Sequence, residues 1–299
     1  MLDLTKLATE QRNPRTMELD TFTPLEIAEA MNAEDARAVE AVHAVLPLVA
    51  RAIELATGAL DAGGRIVYVG AGTSGRLGVL DAVECPPTFG VSYDTVVGII
   101  AGGEHAFVKA AEGAEDHEDA GAADLDAHHV EARDLVIGLA ASGRTPYVVG
   151  ALNHARELGC HTVAIACNAH SPIGAAAELA IEVETGPEAL TGSTRLKAGT
   201  AQKIILNTIS TGAMVGVGKA YQNLMVDVRL SNEKLRVRAQ NIVMDACDCT
   251  RDEAQAALDE AGGHVKVAIV ALLLGCGAPE ARAALDAAKG HVRAAIAGR

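Results

Sequence analysis

Two short loops concentrate the residues that could do chemistry. Gly70-Ala71-Gly72-Thr73-Ser74-Gly75-Arg76 is a G-x-G-x-x-G run at the turn between an apolar strand and a helix. Such a turn directs backbone N–H groups and a helix N-terminus at an anion. Thr73 and Ser74 add two hydroxyl donors, which suits a single terminal phosphate. A dinucleotide would need an acidic residue closing the next strand, but that strand closes as Ile99-Ile100-Ala101-Gly102-Gly103, with Glu104 only after it. Ala141-Ser142-Gly143-Arg144-Thr145-Pro146 repeats the pattern of hydroxyls around a glycine. Either loop alone reads equally well as a helix cap, a place that favours Ser and Thr. Loops at the carboxyl ends of neighbouring strands share one crevice, however, so the pair points to a ligand.

Carboxylates follow each loop. Glu84 lies in Asp81-Ala-Val-Glu84-Cys85-Pro86-Pro87, where two prolines are expected to end the helix begun at the first loop. That leaves Glu84 at a constrained junction, either facing solvent or aimed at a site. Glu112 and Glu115, three apart, are expected on one helical face, an unfavourable pair unless something binds between or beside them. The other reading is a solvated acidic face shared with Asp116, Glu118 and Asp119. His128, His129, His161, His170, His264 and His291 have no partner at ligand spacing, and Cys247-x-Cys249 lacks the spacing of a zinc knuckle. No metal centre is expected, and the absence of G-x-S-x-G leaves a hydrolase triad without an obvious nucleophile.

The elements that must hold these loops are legible from pattern. Thr23-Pro24-Leu25-Glu26 reads as a capping box with proline in the first turn, so a helical amino-terminal arm is expected. Helical periodicity runs from Ala36 to Leu60, with Pro47 expected to kink or divide it and Gly63-Gly64 to end it. Five apolar, β-branched runs follow at 65–70, 95–100, 134–139, 162–166 and 179–183, separated by helical stretches. That alternation predicts an α/β fold with a doubly wound five-stranded parallel sheet. After Gly192 the chain turns helical again. Ser210, Thr211, Gly212, Ala213 and Gly216 predict close helix packing, within a dimer interface. Thr250-Arg-Asp-Glu253 is a second capping box and Pro279 opens a further helix, predicting a small carboxy-terminal bundle.

Composition narrows the function. The 299 residues are 49% hydrophobic and 21% charged, an ordinary folded mix. A net charge of -14 disfavours polyanions, so no nucleic-acid partner is expected. With no Trp, 4 Tyr and 3 Phe there are few rings for stacking, and a small polar ligand held by hydrogen bonds fits better. The mixed charges of Met1 to Arg15 do not read as a secretory signal, and the longest uncharged apolar stretch, Val267 to Ala278, is too short to span a bilayer. No membrane partner is expected. The scattered cysteines Cys85, Cys160, Cys167, Cys247, Cys249 and Cys276 suit a reducing cytoplasm.

Taken in order, several blocks resemble the N-acetylmuramic acid 6-phosphate etherases of the sugar isomerase domain superfamily. They are Asn13-Pro-Arg-Thr-Met17-Glu-Leu-Asp20, Gly70 to Gly78, Glu84-Cys-Pro-Pro-Thr-Phe-Gly90, Glu112-Gly-Ala-Glu-Asp116, Ala141 to Pro146 and Gly186 to Lys203. The resemblance is nearly full length, and Leu258 to Leu274 resembles a ubiquitin-associated-type helical unit. It implies an arm over 1–60, a sugar isomerase-type domain over 61–235 and a helical unit over 236–299. It also implies cleavage of the D-lactyl ether without cofactor or metal, in cell-wall amino sugar recycling or catabolism, by a cytoplasmic homodimer. Carried over by motif, Glu84 protonates the departing lactate and Glu115 is the base at C2, while Glu112 holds sugar hydroxyls. Phosphate falls to Thr73, Ser74, Ser142 and Thr145 with the N–H groups of Gly72 and Gly143, and Arg144, Arg195 and Lys197 are basic candidates for the lactyl carboxylate or the phosphate. Two alternatives remain at this level. One is an aldose-ketose isomerase, whose late loop resembles Glu-Leu-Lys-His where this chain reads Arg195-Leu196-Lys197-Ala198; the other is a non-catalytic sugar-phosphate sensor.

Overall fold

A computed structural model describes residues 7–109, 111–228, 230 and 233–297; positions 1–6 of the expected arm lie outside the described residues. The arm contains two short 3-10 turns, Ala8–Glu10 and Leu19–Thr21, then α1 (Pro24–Ala44) and α2 (Leu46–Asp61). Thr23 and Glu26 form the reciprocal capping box at the start of α1, with the Thr23 N–H on Glu26 Oε2 at 2.7 Å. Pro47 sits in the first turn of α2 and divides the run, because a proline ring has no N–H with which to continue the preceding helix.

From there strands and helices alternate: β1 (Ile66–Gly70), α3 (Gly72–Phe89), β2 (Val96–Ile100), α4 (His105–Val108), α5 (Glu118–Ala127), β3 (Leu135–Ala140), α6 (Pro146–Glu157), β4 (His161–Ala166), α7 (Pro172–Ala176), β5 (Leu179–Glu182) and the long α8 (Lys197–Gly216). Each strand falls within one residue of the sequence expectation at either end. The sheet order is β2-β1-β3-β4-β5, all parallel. Strands β1 and β3 are buried throughout, as parallel strands covered on both faces must be. Leu125 of α5 and Tyr147, Val148 and Leu152 of α6 pack on Val67, Val69 and Val136, each filled apolar position contributing about 1.5–3 kcal/mol. The chain leaves β1 for β2 on one side and returns to β3 on the other, so the order reverses at β1. Open α/β sheets bind ligands beyond the carboxyl ends of strands at such a reversal.

The remaining elements are the hairpin β6 (Ala220–Tyr221) and β7 (Leu224–Met225), then α9 (Glu233–Cys247), α10 (Arg251–Glu260), α11 (Val265–Leu274), α12 (Ala278–Ala287) and α13 (Val292–Ala297). Thr250 and Glu253 cap α10 as a second capping box. Helix α11 is apolar apart from Lys266 and sits in a core with Ile242, Val243, Leu258 and Leu285. Among the described residues no single helix is long and apolar enough to cross a membrane; α11 and α12 together have the length, bent by 102°.

The chain divides into two compact units, Met1–Val83 with Asp94–Ser210, and Glu84–Tyr93 with Thr211–Arg299. The sheet and the arm share the first unit. Two local expectations are corrected. Pro86 and Pro87 do not end α3 ahead of them: the helix carries both and stops at Phe89, and the Gly90 N–H still reaches Pro86 O at 3.0 Å. A proline near a helix end forfeits few hydrogen bonds, so Glu84 is a helical residue and not one at an irregular junction. Glu112 and Glu115 do not share a helical face. Gly113 between them takes φ +77°, a left-handed conformation that interrupts any helix, and Glu115 falls in the separate 3-10 turn Ala114–Asp116.

Candidate active site

Gly70 closes β1 and Gly72 opens α3, exposed, so the start of the helix is accessible from the carboxyl end of the sheet. The third glycine of the run is needed for space: a Cβ on Gly75 would lie 2.6 Å from Gly70 O and 2.8 Å from Ile100 Cγ1. Ser74 points inward and is 6% exposed, its hydroxyl donating to Gln202 Oε1 of α8 at 2.8 Å. Thr73 is half-buried beside it.

The second loop leaves β3, whose Leu139 is the register partner of Gly70. Both loops therefore emerge side by side. Ser142 Oγ accepts the Arg144 N–H at 3.3 Å, and Arg144 is half-buried. Thr145 stands at the N-cap position of α6, yet its hydroxyl makes no capping bond, which counts against the purely structural reading of this loop. Asn168 holds the loop from behind, donating to Ala141 O at 3.2 Å and to Thr9 Oγ1 of the arm at 3.0 Å.

Between the first loop and the segment after β2 lies a cleft of about 210 Å³, lined among others by Gly72, Arg76, Ala101, Glu112 and Glu115. The fold thus brings the opening of α3 and two exposed carboxylates to one cavity. Arg76 fastens α4 to α3: its Nε donates to Phe107 O at 2.9 Å and its Nη2 to Ala106 O at 2.7 Å. Ser142, Gly143, Arg144 and Thr145 are not among the lining residues of this cleft. Glu84 is exposed on the last turns of α3, in the second unit, and does not line it either.

The two late basic residues part company. Arg195 is exposed. Lys197 is 1% exposed, its ammonium donating to Glu34 Oε2 at 2.5 Å and to Pro187 O at 2.8 Å. Arg15 holds the other side of the same carboxylate, Nε to Oε1 at 2.5 Å and Nη2 to Oε2 at 2.9 Å. Burial pushes the Glu34 carboxyl up, but hydrogen bonds from Arg15 and Lys197 and their charges outweigh it and hold the group at about 2. The Lys197 ammonium is spent on the arm and on Pro187 O. Glu188, fully buried, accepts the N–H groups of Lys197 and Ala198 at 2.9 Å each and so caps α8; burial raises its affinity for a proton despite those bonds.

Arg76, Asn168 and Gln202 were not singled out from the sequence. Arg76 and Gln202 lie inside quoted motif blocks, so motif membership was the available signal, whereas Asn168 follows β4 with nothing to mark it. Among the described residues no three His, Cys, Asp or Glu side chains gather in a way that could hold a metal ion. The second unit has its own cavity of about 490 Å³, lined by Lys219, Asp227 and His264 among others, where Asp227 Oδ2 meets Lys266 at 2.6 Å and Lys219 at 3.2 Å.

Comparison with known proteins places this geometry in a lineage. Residues 48–156 match the N-terminal SIS domain of glucokinase regulatory protein, 103–210 the SIS domain and 222–262 the C-terminal lid domain of glucokinase regulatory protein. The chain is 58% identical over 276 residues to the N-acetylmuramic acid 6-phosphate etherase of Pectobacterium atrosepticum, covering 92% of this chain and 91% of that one. It is 57% identical to proteins of the same name from Serratia proteamaculans and Halalkalibacterium halodurans, covering 92% of the chain and 92% of each relative. A phosphoheptose isomerase structure from Neisseria gonorrhoeae superposes with a TM-score of 0.50 at 19% identity, over 64% of this chain and 98% of that one, a likeness of fold alone.

Proposed function

The chain belongs to the N-acetylmuramic acid 6-phosphate etherase family, and on that premise we propose that it cleaves the D-lactyl ether of N-acetylmuramic acid 6-phosphate, giving N-acetylglucosamine 6-phosphate and D-lactate. One observation carries the reading beyond family membership: Glu115 and Glu112 line the same cleft as the exposed start of α3, so a carboxylate base stands beside an anion-binding helix end.

The open sugar carries an aldehyde at C1, which makes the C2 proton acidic and the C3 ether oxygen a leaving group. Glu115 takes the C2 proton. The electron pair forms the C2–C3 double bond, the C3–O bond breaks, and the departing lactate oxygen takes a proton from Glu84, a role that rests on the motif alone, since Glu84 does not line the cleft that holds Glu115. Water then adds at C3, losing a proton to the Glu84 carboxylate, while Glu115 returns a proton to C2. Two carboxylates in alternating acid and base roles are sufficient for this sequence. The phosphate is held by Thr73, Ser74, Ser142 and Thr145 with the N–H groups of Gly72 and Gly143; Glu112 holds sugar hydroxyls, and the half-buried Arg144 and exposed Arg195 serve the lactyl carboxylate or the phosphate. Because the chain carries a net charge of -14, these local donors must outweigh long-range repulsion of an anionic substrate. The protein works in the cytoplasm as a homodimer, a reading supported by six free cysteines and by exposed Thr211 and Val215 on the small-residue stretch of α8. The arm, the sugar isomerase-type domain and the carboxy-terminal helical unit are its working parts.

The test is D-lactate release by the purified full chain from N-acetylmuramic acid 6-phosphate, beside the unphosphorylated sugar. Release that depends on phosphate is expected. A folded protein that binds the phosphosugar and releases no lactate would overturn the etherase reading in favour of a sensor.

A further inference from the structure

Gln202 is 1% exposed, and its Nε2 is a fully buried donor with no hydrogen-bond partner. Its other amide atom, Oε1, receives the Ser74 hydroxyl at 2.8 Å. The contact is close to the first loop in a second way: a Cβ on Gly199, one turn earlier on α8, would lie 3.7 Å from Thr73 Cγ2. A buried N–H left without an acceptor is rarer in folded proteins than an under-used carbonyl oxygen.

A serine hydroxyl has one proton. Donated to Gln202, that proton leaves Ser74 with only lone pairs to offer an anion, which repel it. A half-turn of the Gln202 amide reverses the exchange. Nε2–H then donates to Ser74 Oγ, the orphaned donor is satisfied, and the Ser74 proton is released toward a phosphate oxygen. We propose that Gln202 is a positioning residue that sets the direction of the Ser74 proton, acting as donor to Ser74 whenever a phosphoryl group occupies the loop. The proposal rests on the phosphate-site reading above and deepens it.

Three variants test it on the full chain, with D-lactate release from N-acetylmuramic acid 6-phosphate and competitive inhibition by inorganic phosphate as readouts. Gln202→Glu substitutes a carboxylate that can only accept and so pins the Ser74 proton away from the ligand. KM and the phosphate inhibition constant are expected to rise at least about tenfold, the loss of one hydrogen bond to a charged group, with kcat little changed. As pH falls and the new carboxyl protonates, it regains a donor, so affinity is expected to recover relative to wild type. Gln202→Met keeps the length and apolar packing without any donor and is expected to raise KM by less than Gln202→Glu does. In a Ser74→Ala background Gln202→Glu is expected to add almost nothing, since both act on one hydroxyl. Variants that lower the melting temperature and leave KM, the inhibition constant and the pH profile at wild-type values would overturn the proposal. Should Gln202→Glu fail to fold, an unchanged KM in Gln202→Met would do the same. The two readings fail differently: a wild-type chain that neither cleaves the substrate nor responds to phosphate removes the phosphate site itself. An active chain sensitive to Ser74→Ala and indifferent to Gln202 removes only this inference.

Discussion

Glu34 and Glu115 are both acids of the first unit, and the fold treats them in opposite ways. Glu34 is buried with Arg15 and Lys197 on its two oxygens, every charge answered within the chain. Glu115 stands exposed in a short 3-10 turn behind a left-handed glycine, lining a cleft. Taking a carboxylate out of water is unfavourable unless it is paired and hydrogen-bonded, so partners collect around the first acid because it is buried. The second keeps its hydration and its lone pairs, which leaves it available to a ligand. Charge that is spent on the fold and charge that is kept for chemistry can thus be told apart by burial and partners. Lys197 shows the value of the distinction: by motif it is a candidate ligand for substrate, and by burial it belongs with Glu34.

The sharpest way to break this contrast is Glu115→Gln. With the proposed base at C2 removed, kcat is expected to fall by about 10²–10⁴-fold while the thermal melt stays at the wild-type position. A fall in melting temperature matching the loss of activity would place Glu115 among the structural acids instead. Glu34→Gln should do the reverse, leaving the Lys197 ammonium buried without its carboxylate. Denaturant titration is expected to show a loss of about 3–5 kcal/mol, with the folded fraction still cleaving substrate. The smallest effect is on acid stability. Because the folded Glu34 carboxyl is held at about 2, below the ordinary value of 4.5, its stabilisation is complete above 4.5 and is lost as pH falls from there toward 2. Melting temperatures followed through that window should fall more steeply for wild type than for Glu34→Gln; parallel curves would mean that Glu34 is not held in the way its partners imply.

Much of the scaffold was legible because its causes are local. The capping boxes at Thr23 and Thr250 need only a hydroxyl and a glutamate three residues apart, and both formed. The apolar runs became strands because a parallel sheet covered on both faces demands them, and the first loop opens a helix as a glycine run after a strand should. The failures are also local in origin but were settled elsewhere. Pro86 and Pro87 carry a strong breaker signal, yet the helix around them needed little from the two missing N–H groups so near its end. Glu112 and Glu115 looked like one helical face until the conformation of Gly113 separated them, and the cleft then reunited them by a different route.

Residue type and short-range spacing were enough for the order of elements, the two hydroxyl-rich loops and the preference for a small ligand with a terminal phosphate over a dinucleotide or a polyanion; that the ligand is a sugar came from the resemblance. Tertiary packing alone selected which of the charged and polar candidates stay free. The ammonium of Lys197 meets a carboxylate 163 residues away, and the hydroxyl of Ser74 meets an amide 128 residues away. Contacts at such separations follow from how the arm, the sheet and α8 fill the same interior, and no spacing rule along the chain encodes them.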